Sequence, residues 1–205
     1  MKRFALPVLA LLAVTAPAAH AFRLPDDLGP IANNPANRFS QVEIDPVEYD
    51  GASKCTPKAK RPGIAAFTAW LQRNAQGQFW GSYRCEKWDK GTASLHAENR
   101  AIDWHLDAYD RSDRAHAGGL IAMLLAPDSV GNPHALARRM GVQEIIWDCS
   151  YWGAGMDQFK KYSPCFKKDG SPNRKVDKTT AHRDHIHFGM SKAGAAGRTT
   201  FWQVG

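Results

Sequence analysis

The chain has 205 residues and a formal net charge of +7 at pH 7, from 27 lysines and arginines against 20 aspartates and glutamates. After the leader, the longest apolar run covers only residues 120–126. A membrane helix needs about 18 apolar residues, so no stable membrane insertion is expected. The net positive charge is a mild bias toward anionic surroundings such as a cell wall, but an ordinary solvated surface explains it better. The basic residues do not alternate with aromatic ones in a stripe, which argues against nucleic-acid binding. The length suits one domain, and we expect a monomer.

Residues 1–21 have the three-part layout of a secretory signal peptide. Lys2 and Arg3 form a basic head, an apolar run follows over 4–14, and small residues lead to an A-x-A cleavage site ending at Ala21. Cleavage there would leave a net charge of +5, because the leader carries two basic residues and no acidic ones. The sequence therefore predicts an exported protein, either periplasmic or extracellular.

Four cysteines remain after this cleavage: Cys55, Cys85, Cys149 and Cys165. An even number of cysteines in an exported chain favours two disulfides. None of them lies in a C-x-x-C pair, which argues against a thiolate zinc cluster or a thioredoxin-like site. Of the three possible pairings, Cys55–Cys85 with Cys149–Cys165 is favoured because both bonds close short loops, although the sequence leaves the choice open.

In chain order, residues 22–60 are rich in Pro, Asn and Asp and predict an irregular N-terminal arm ahead of a domain over 61–205. The first helix is predicted over Pro62–Asn74, where apolar residues recur at helical spacing. An aromatic-rich segment bounded by glycines predicts a strand over Phe79–Cys85. A clearer strand over Ala101–Leu106 alternates apolar residues on one face with polar residues, including Asp103, on the other.

The second half of the chain mixes helices and strands without a regular βαβ rhythm, which is typical of an α+β fold. Apolar periodicity, caps and glycines predict helices over Ala115–Ala126 and Pro133–Met140 (with Asn132 as the cap), strands over Val142–Asp148 and His185–Phe188, and a long basic loop over 150–180.

Two histidine-containing motifs carry the chemistry. On a strand, His185 and His187 share one face, so two imidazoles point into the same space. His96 and Asp103 are seven residues apart, too far for one helical turn. That spacing suits a loop histidine that leads into a strand through a tight turn at Asn99, since Asn tolerates a left-handed backbone conformation.

Two imidazoles and one carboxylate, with a position left open for water, are the layout of a catalytic zinc site. We therefore predict one zinc ion per chain, bound by His96, Asp103 and His187. Zinc lowers the pKa of a bound water to about 7, and a nearby base has to take the proton. His185, on the same strand face as His187, is placed to act as that base. A rival interpretation is an iron oxygenase with two histidines and one carboxylate as ligands. Those sites usually set His and carboxylate one residue apart, unlike the spacing of His96 and Asp103.

Four neighbouring residues have less decided roles. His105 is expected to be a polar surface histidine rather than a partner of a metal ligand. Asp184 points away from the face of His185 and His187 if the strand is regular, so a solvated acid is expected rather than one that orients an imidazole through a bend. Arg100, which follows the turn at Asn99, is expected to be a structural clamp. His182 could donate to a metal ligand or line the cleft.

These motifs resemble the zinc peptidases that group lysostaphin-type enzymes, D-alanyl-D-alanine peptidases and the hedgehog signalling domain. The resemblance is closest to the D-alanyl-D-alanine carboxypeptidase-like branch. Its pattern S-x-H-x-x-G-x-A-x-D is matched by Ser94, His96, Ala101 and Asp103, with Asn99 in place of the glycine. An upstream strand that reads S-G-Y-R-S is matched by residues 81–85 with the first two exchanged, and the terminal H-x-H by residues 185–187.

The resemblance covers about residues 79–202 and implies a hedgehog-like or DD-peptidase-like fold, with a small antiparallel sheet and flanking helices around a zinc cleft. It implies zinc ligands and a catalytic histidine as above. It also implies that Ser94 and Arg84 bind substrate, with Arg84 reaching the scissile carbonyl or a substrate carboxylate; a guanidinium suits this task because it stays charged and donates in a fork.

The function implied by this resemblance and by export is hydrolysis of peptide bonds in peptidoglycan stem peptides or cross-links. The alternative is a secreted zinc-binding module of the same fold without turnover. Carboxypeptidase and endopeptidase activity stay open at this point, as do remodelling of the owner's wall and attack on other cells.

Overall fold

An antiparallel sheet of six strands forms the centre of the computed structural model, which describes residues 22–24, 28–89 and 91–204. The strand order is β1-β2-β6-β3-β4-β5. The predicted α+β class is confirmed. The strands are β1 Gln78–Gly81, β2 Ala101–His105, β3 Val142–Trp147, β4 Ser150–Gly153, β5 Lys160–Lys161 and β6 His185–Met190.

Five α-helices accompany the described part of the sheet: α1 Pro62–Asn74, α2 Arg111–Leu125, α3 Ala135–Met140, α4 Lys192–Ala195 and α5 Thr200–Gln203. The predicted bounds of α1 are confirmed. Helix α2 begins four residues earlier than predicted, because the Asp110 side chain accepts a hydrogen bond from the Asp113 backbone and caps the helix there. The predicted cap of α3 is wrong: His134 occupies that position, and Asn132 hydrogen-bonds to Asp128 instead.

Two strand predictions need correction. The strand predicted over 79–85 ends at Gly81, because the residues that follow are tied to the N-terminal arm rather than to β2. Tyr83 donates to the Thr56 carbonyl, and Cys85 is bonded to Cys55. The region 150–180 is not a continuous loop, since it contains β4 and β5.

The two faces of the sheet have different chemistry. Ile102, Trp104 and Phe188 are almost fully buried on one face, where the Phe67 ring of α1 packs edge-on against Phe188 at 5.4 Å between centroids. The alternation of side chains along a strand puts Asp103 and its cross-strand neighbours on the opposite face. The apolar face therefore forms the core, and the polar face is left for the site.

The N-terminal arm packs onto this domain through buried polar contacts. Arg139, fully buried in α3, donates from Nη2 to the carbonyls of Phe39 and Val42, each at 3.0 Å. Arg100 donates to carbonyls at Asp50, on the arm, and at Met190, at the end of β6. The predicted clamp role of Arg100 is thereby confirmed.

Both favoured disulfides are present, Cys55–Cys85 and Cys149–Cys165. The first joins the arm to the segment after β1, and the second ties the start of β4 to the 3-10 helix Ser163–Cys165. Two disulfides are consistent with the predicted export. The predicted signal peptide lies outside the described residues. Within residues 22–24, 28–89 and 91–204, no helix has the length and apolar character needed to span a bilayer.

Replacing Arg139 tests how strongly the arm is held. In Arg139→Met the carbonyls of Phe39 and Val42 would lose their buried donor, so we expect the free energy of unfolding to fall by about 3 kcal/mol. Urea unfolding measures this change. The matched control is Arg111→Met, at an exposed position of α2, where a change within about 0.5 kcal/mol is expected. Equal stability of the two variants would contradict the prediction.

Candidate metal centre

His96 is positioned by a short 3-10 helix, Leu95–Glu98, that leads into β2. The Ser94 hydroxyl accepts a hydrogen bond from the His96 backbone at 3.3 Å and caps this helix. Asn99 ends it with φ 56° and ψ 39°, the left-handed conformation predicted from the sequence. Ser94 is itself buried, and the contact with substrate that the resemblance implies for it stays a prediction.

The Asn99 side chain also makes hydrogen bonds that a glycine at this position could not make. Its amide oxygen accepts from the Ala59 backbone, and its amide nitrogen donates to the Thr56 hydroxyl and the Pro57 carbonyl. The departure from the glycine of the related pattern thus keeps the turn and adds three bonds to the arm.

Three side chains converge on the polar face of the sheet. Asp103 on β2 is directly opposite His187 on β6 in the strand register. His96 Nε2 lies 3.0 Å from Asp103 Oδ1 and 3.1 Å from His187 Nδ1, and these last two atoms are 3.3 Å apart. All three residues are buried, and they form a group that could hold a metal ion.

The size of this triangle fits zinc. Ligand atoms bound at about 2.0–2.1 Å in a tetrahedron lie about 3.3 Å from one another. The observed separations of 3.0 to 3.3 Å are close to that spacing. Two nitrogens and one carboxylate oxygen are also the donor set of catalytic zinc sites, in which the fourth position is open to water or substrate.

The electrostatics of the triangle favour a positive charge at its centre. Burial would raise the pKa of Asp103, but hydrogen bonds from His187 and His96 outweigh it and hold the pKa well below its ordinary value. Burial lowers the pKa of His96. Burial would also lower the pKa of His187, yet its bonds to Asp103 and Glu144 raise that pKa to about 9. A divalent cation would supply the charge that a proton on His187 supplies otherwise.

His185 lies beside the triangle, with its Nδ1 hydrogen-bonded and its Nε2 without a hydrogen-bond partner among the described residues. Its Nδ1 contacts Asp184 Oδ1 at 2.7 Å, and the Thr179 hydroxyl donates to the other Asp184 oxygen. Its Nε2 lies 3.5 Å from Asp103 Oδ1 and is buried without a hydrogen-bond partner. Because a carboxylate only accepts, Nδ1 must carry the proton toward Asp184, which leaves the Nε2 lone pair facing the site.

The prediction that Asp184 is a solvated acid is wrong. The residue is buried and orients His185. The backbone departs from a regular strand just before β6, where His182 has φ 51°.

Arg84 borders the site from the segment after β1. One of its terminal nitrogens donates to Asp103 Oδ2, and its Nε donates to Glu86 at 3.0 Å. Burial opposes its charge, but the Asp103 carboxylate outweighs this and raises the pKa of Arg84. The side chain is 48% exposed, so it is accessible from solvent while it touches a member of the triangle.

Aromatic and histidine rings surround His185. Trp80, 49% exposed, stacks on His105 with centroids 4.2 Å apart and planes within 9°, and its ring is 6.0 Å from that of His185. His105 is therefore covered rather than a free surface histidine, and its Nδ1 contacts the Asp184 carbonyl at 2.6 Å. His182 is buried, with its ring 4.7 Å from that of His185, so it lines the cleft.

Sequence reasoning missed Glu144, which contacts the His187 ring nitrogen that lies outside the triangle. Its Oε1 lies 3.0 Å from His187 Nε2. The available signal was an acid inside the strand predicted over Val142–Asp148, since a buried charge needs a partner. Trp80 was missed as well, because its stacking on His105 depends on the pairing of β1 with β2.

Comparison with known proteins places the chain in a family. A family model described as VldE, C-terminal domain matches residues 52–176. That range contains Arg84, His96, Asp103 and Glu144 and ends before His185. No significant match was found among curated proteins or among solved structures. Because the matched range is more than half of the 205 residues, the chain belongs to the VldE C-terminal domain family.

Proposed function

We propose that this protein is an exported zinc-dependent peptidase that hydrolyses peptide bonds in peptidoglycan stem peptides or cross-links. The observation that carries the proposal is the triangle of His96 Nε2, Asp103 Oδ1 and His187 Nδ1, with sides of 3.0 to 3.3 Å. The wall substrate rests on the resemblance to D-alanyl-D-alanine carboxypeptidase-like enzymes and on the predicted signal peptide. The same resemblance supports a hedgehog-like zinc cleft as the finer description of the fold.

In this proposal each residue has one task. Bound zinc would polarise the scissile carbonyl and lower the pKa of a water to about 7. His185 accepts the proton of the attacking water at Nε2 and returns it to the leaving amine. Asp184 keeps the proton of the resting imidazole on Nδ1 and stabilises the imidazolium that forms, since it is bonded to that nitrogen.

Arg84 supports the negative charge on the substrate side. Its half-exposed guanidinium is anchored through Nη1 and Nε to Asp103 and Glu86. The other terminal nitrogen has no partner among the described residues, so it can donate to the carbonyl oxygen as charge develops, or to a substrate carboxylate.

Metal analysis of the purified protein tests the ligand set. We expect about one zinc per chain in the wild type, and loss of most of it in His96→Ala, because a tetrahedral site with two protein ligands binds zinc weakly. Inductively coupled plasma mass spectrometry measures the metal content. His116→Ala removes an exposed histidine of α2 and should keep the zinc. Iron in place of zinc, or equal zinc in both variants, would defeat the assignment.

Digestion of purified peptidoglycan tests catalysis. His185→Ala should keep its zinc and lower the rate of peptide release by about 10²- to 10⁴-fold, the usual contribution of a general base. Mass spectrometry of the released fragments also identifies the bond that is cut. The control is again His116→Ala, with an unchanged rate. A wild type that binds zinc but releases no peptide would contradict peptidase activity and support the non-catalytic module.

A further inference from the structure

Glu144 is placed against His187 by the pairing of β3 with β6. Glu144 is opposite Gly189, and Ile146 is opposite His187, so Glu144 and His187 are diagonal neighbours on the same face. A β-carbon at Gly189 would come within 2.9 Å of the Glu144 β-carbon and 2.3 Å of a Leu95 methyl. The glycine thus provides the space in which the Glu144 side chain reaches the histidine.

The Glu144 contact decides which nitrogen of His187 faces the triangle as a lone pair. Glu144 is buried, and its Oε1 lies 3.0 Å from His187 Nε2. A carboxylate oxygen can only accept a hydrogen bond, so the contact between Glu144 Oε1 and His187 Nε2 needs its proton on the histidine nitrogen. The proton of a neutral His187 therefore sits on Nε2, and Nδ1 is free to bind a cation.

The second carboxylate oxygen of Glu144 is held by the N-terminal arm. The Tyr49 hydroxyl donates to Glu144 Oε2, and Tyr151 donates to the Tyr49 hydroxyl at 3.2 Å. Burial and the Glu144 charge raise the pKa of Tyr49 far above its ordinary value, so Tyr49 remains a donor.

The arm is fixed at the residue that follows Tyr49. The Asp50 backbone nitrogen donates to Gln143 Oε1 at 2.8 Å, and the Gln143 amide donates back to the Asp50 carbonyl at 3.0 Å. Arg100 donates to that same carbonyl at 2.8 Å. Tyr49 therefore reaches Glu144 from a segment that is hydrogen-bonded to β3 and to the residue before β2.

We propose that Glu144 and Tyr49 are positioning residues that set the zinc affinity of the site, so that the N-terminal arm takes part in retaining the metal. This inference rests on the proposed zinc function and names two residues outside the ligand set. An ionised carboxylate on the far nitrogen makes the imidazole a stronger ligand and fixes its ring, and removal of such a partner typically weakens metal binding 10- to 100-fold. Tyr49 acts one step further away and has a smaller effect in the same direction.

Competition with a chromophoric zinc chelator measures the dissociation constant. For Glu144→Gln, which keeps the shape but removes the charge, we expect a 10- to 100-fold weaker affinity than for the wild type. For Tyr49→Phe we expect the zinc affinity to weaken on the order of 3- to 10-fold, because Tyr49 contacts Glu144 and not His187 itself. Tyr109→Phe removes the hydroxyl of a 67% exposed tyrosine and should leave the affinity unchanged.

Thermal unfolding of the metal-free variants separates positioning from folding. Tyr49 is half exposed, so Tyr49→Phe should unfold near the wild-type temperature without zinc and still bind zinc less tightly. Unchanged zinc affinity in both Glu144→Gln and Tyr49→Phe would overturn this inference and leave the proposed peptidase intact. A wild type that binds no zinc would overturn both.

Discussion

The buried carboxylate of Asp103 is the interaction on which the site depends. Its Oδ1 is within 3.5 Å of nitrogens from His96, His187 and His185, and its Oδ2 accepts from Arg84. A charge buried in this way is costly unless it is paired and hydrogen-bonded. The surrounding imidazoles and guanidinium meet that requirement, and they also create a small, rigid space suited to a divalent cation.

The sheet supplies the precision of this arrangement. Antiparallel pairing of β2 with β6 sets Asp103 opposite His187 and His105 opposite His185, so two pairs of polar residues share one face. The other face is filled by the apolar core. A shift of one residue in the register would turn the ligands into the core. Packing of residues such as Trp104 and Phe188 therefore fixes the geometry of the site from behind.

The N-terminal arm stabilises the site through hydrogen bonds and is not a separate segment. Asn99, Arg100 and Arg139 each bind arm backbone through two or more hydrogen bonds. Two of these residues lie in the turn between His96 and Asp103. The arm thus stabilises the loop that carries one member of the triangle, while Tyr49 reaches Glu144 behind another.

The sequence by itself determined the α+β class, helix α1, the left-handed turn at Asn99 and the shared face of His185 and His187, because these follow from local periodicity and backbone preference. It also indicated which three side chains meet. Only tertiary pairing brings His187 within 3.3 Å of Asp103 and His96, which precede it by 84 and 91 positions. Tertiary structure alone decided the burial of Asp184, the stacking of Trp80 on His105 and the contacts of Glu144 and Tyr49. Each depends on a cross-strand neighbour or a docked segment far away in the chain, and local pattern carries no information about such neighbours.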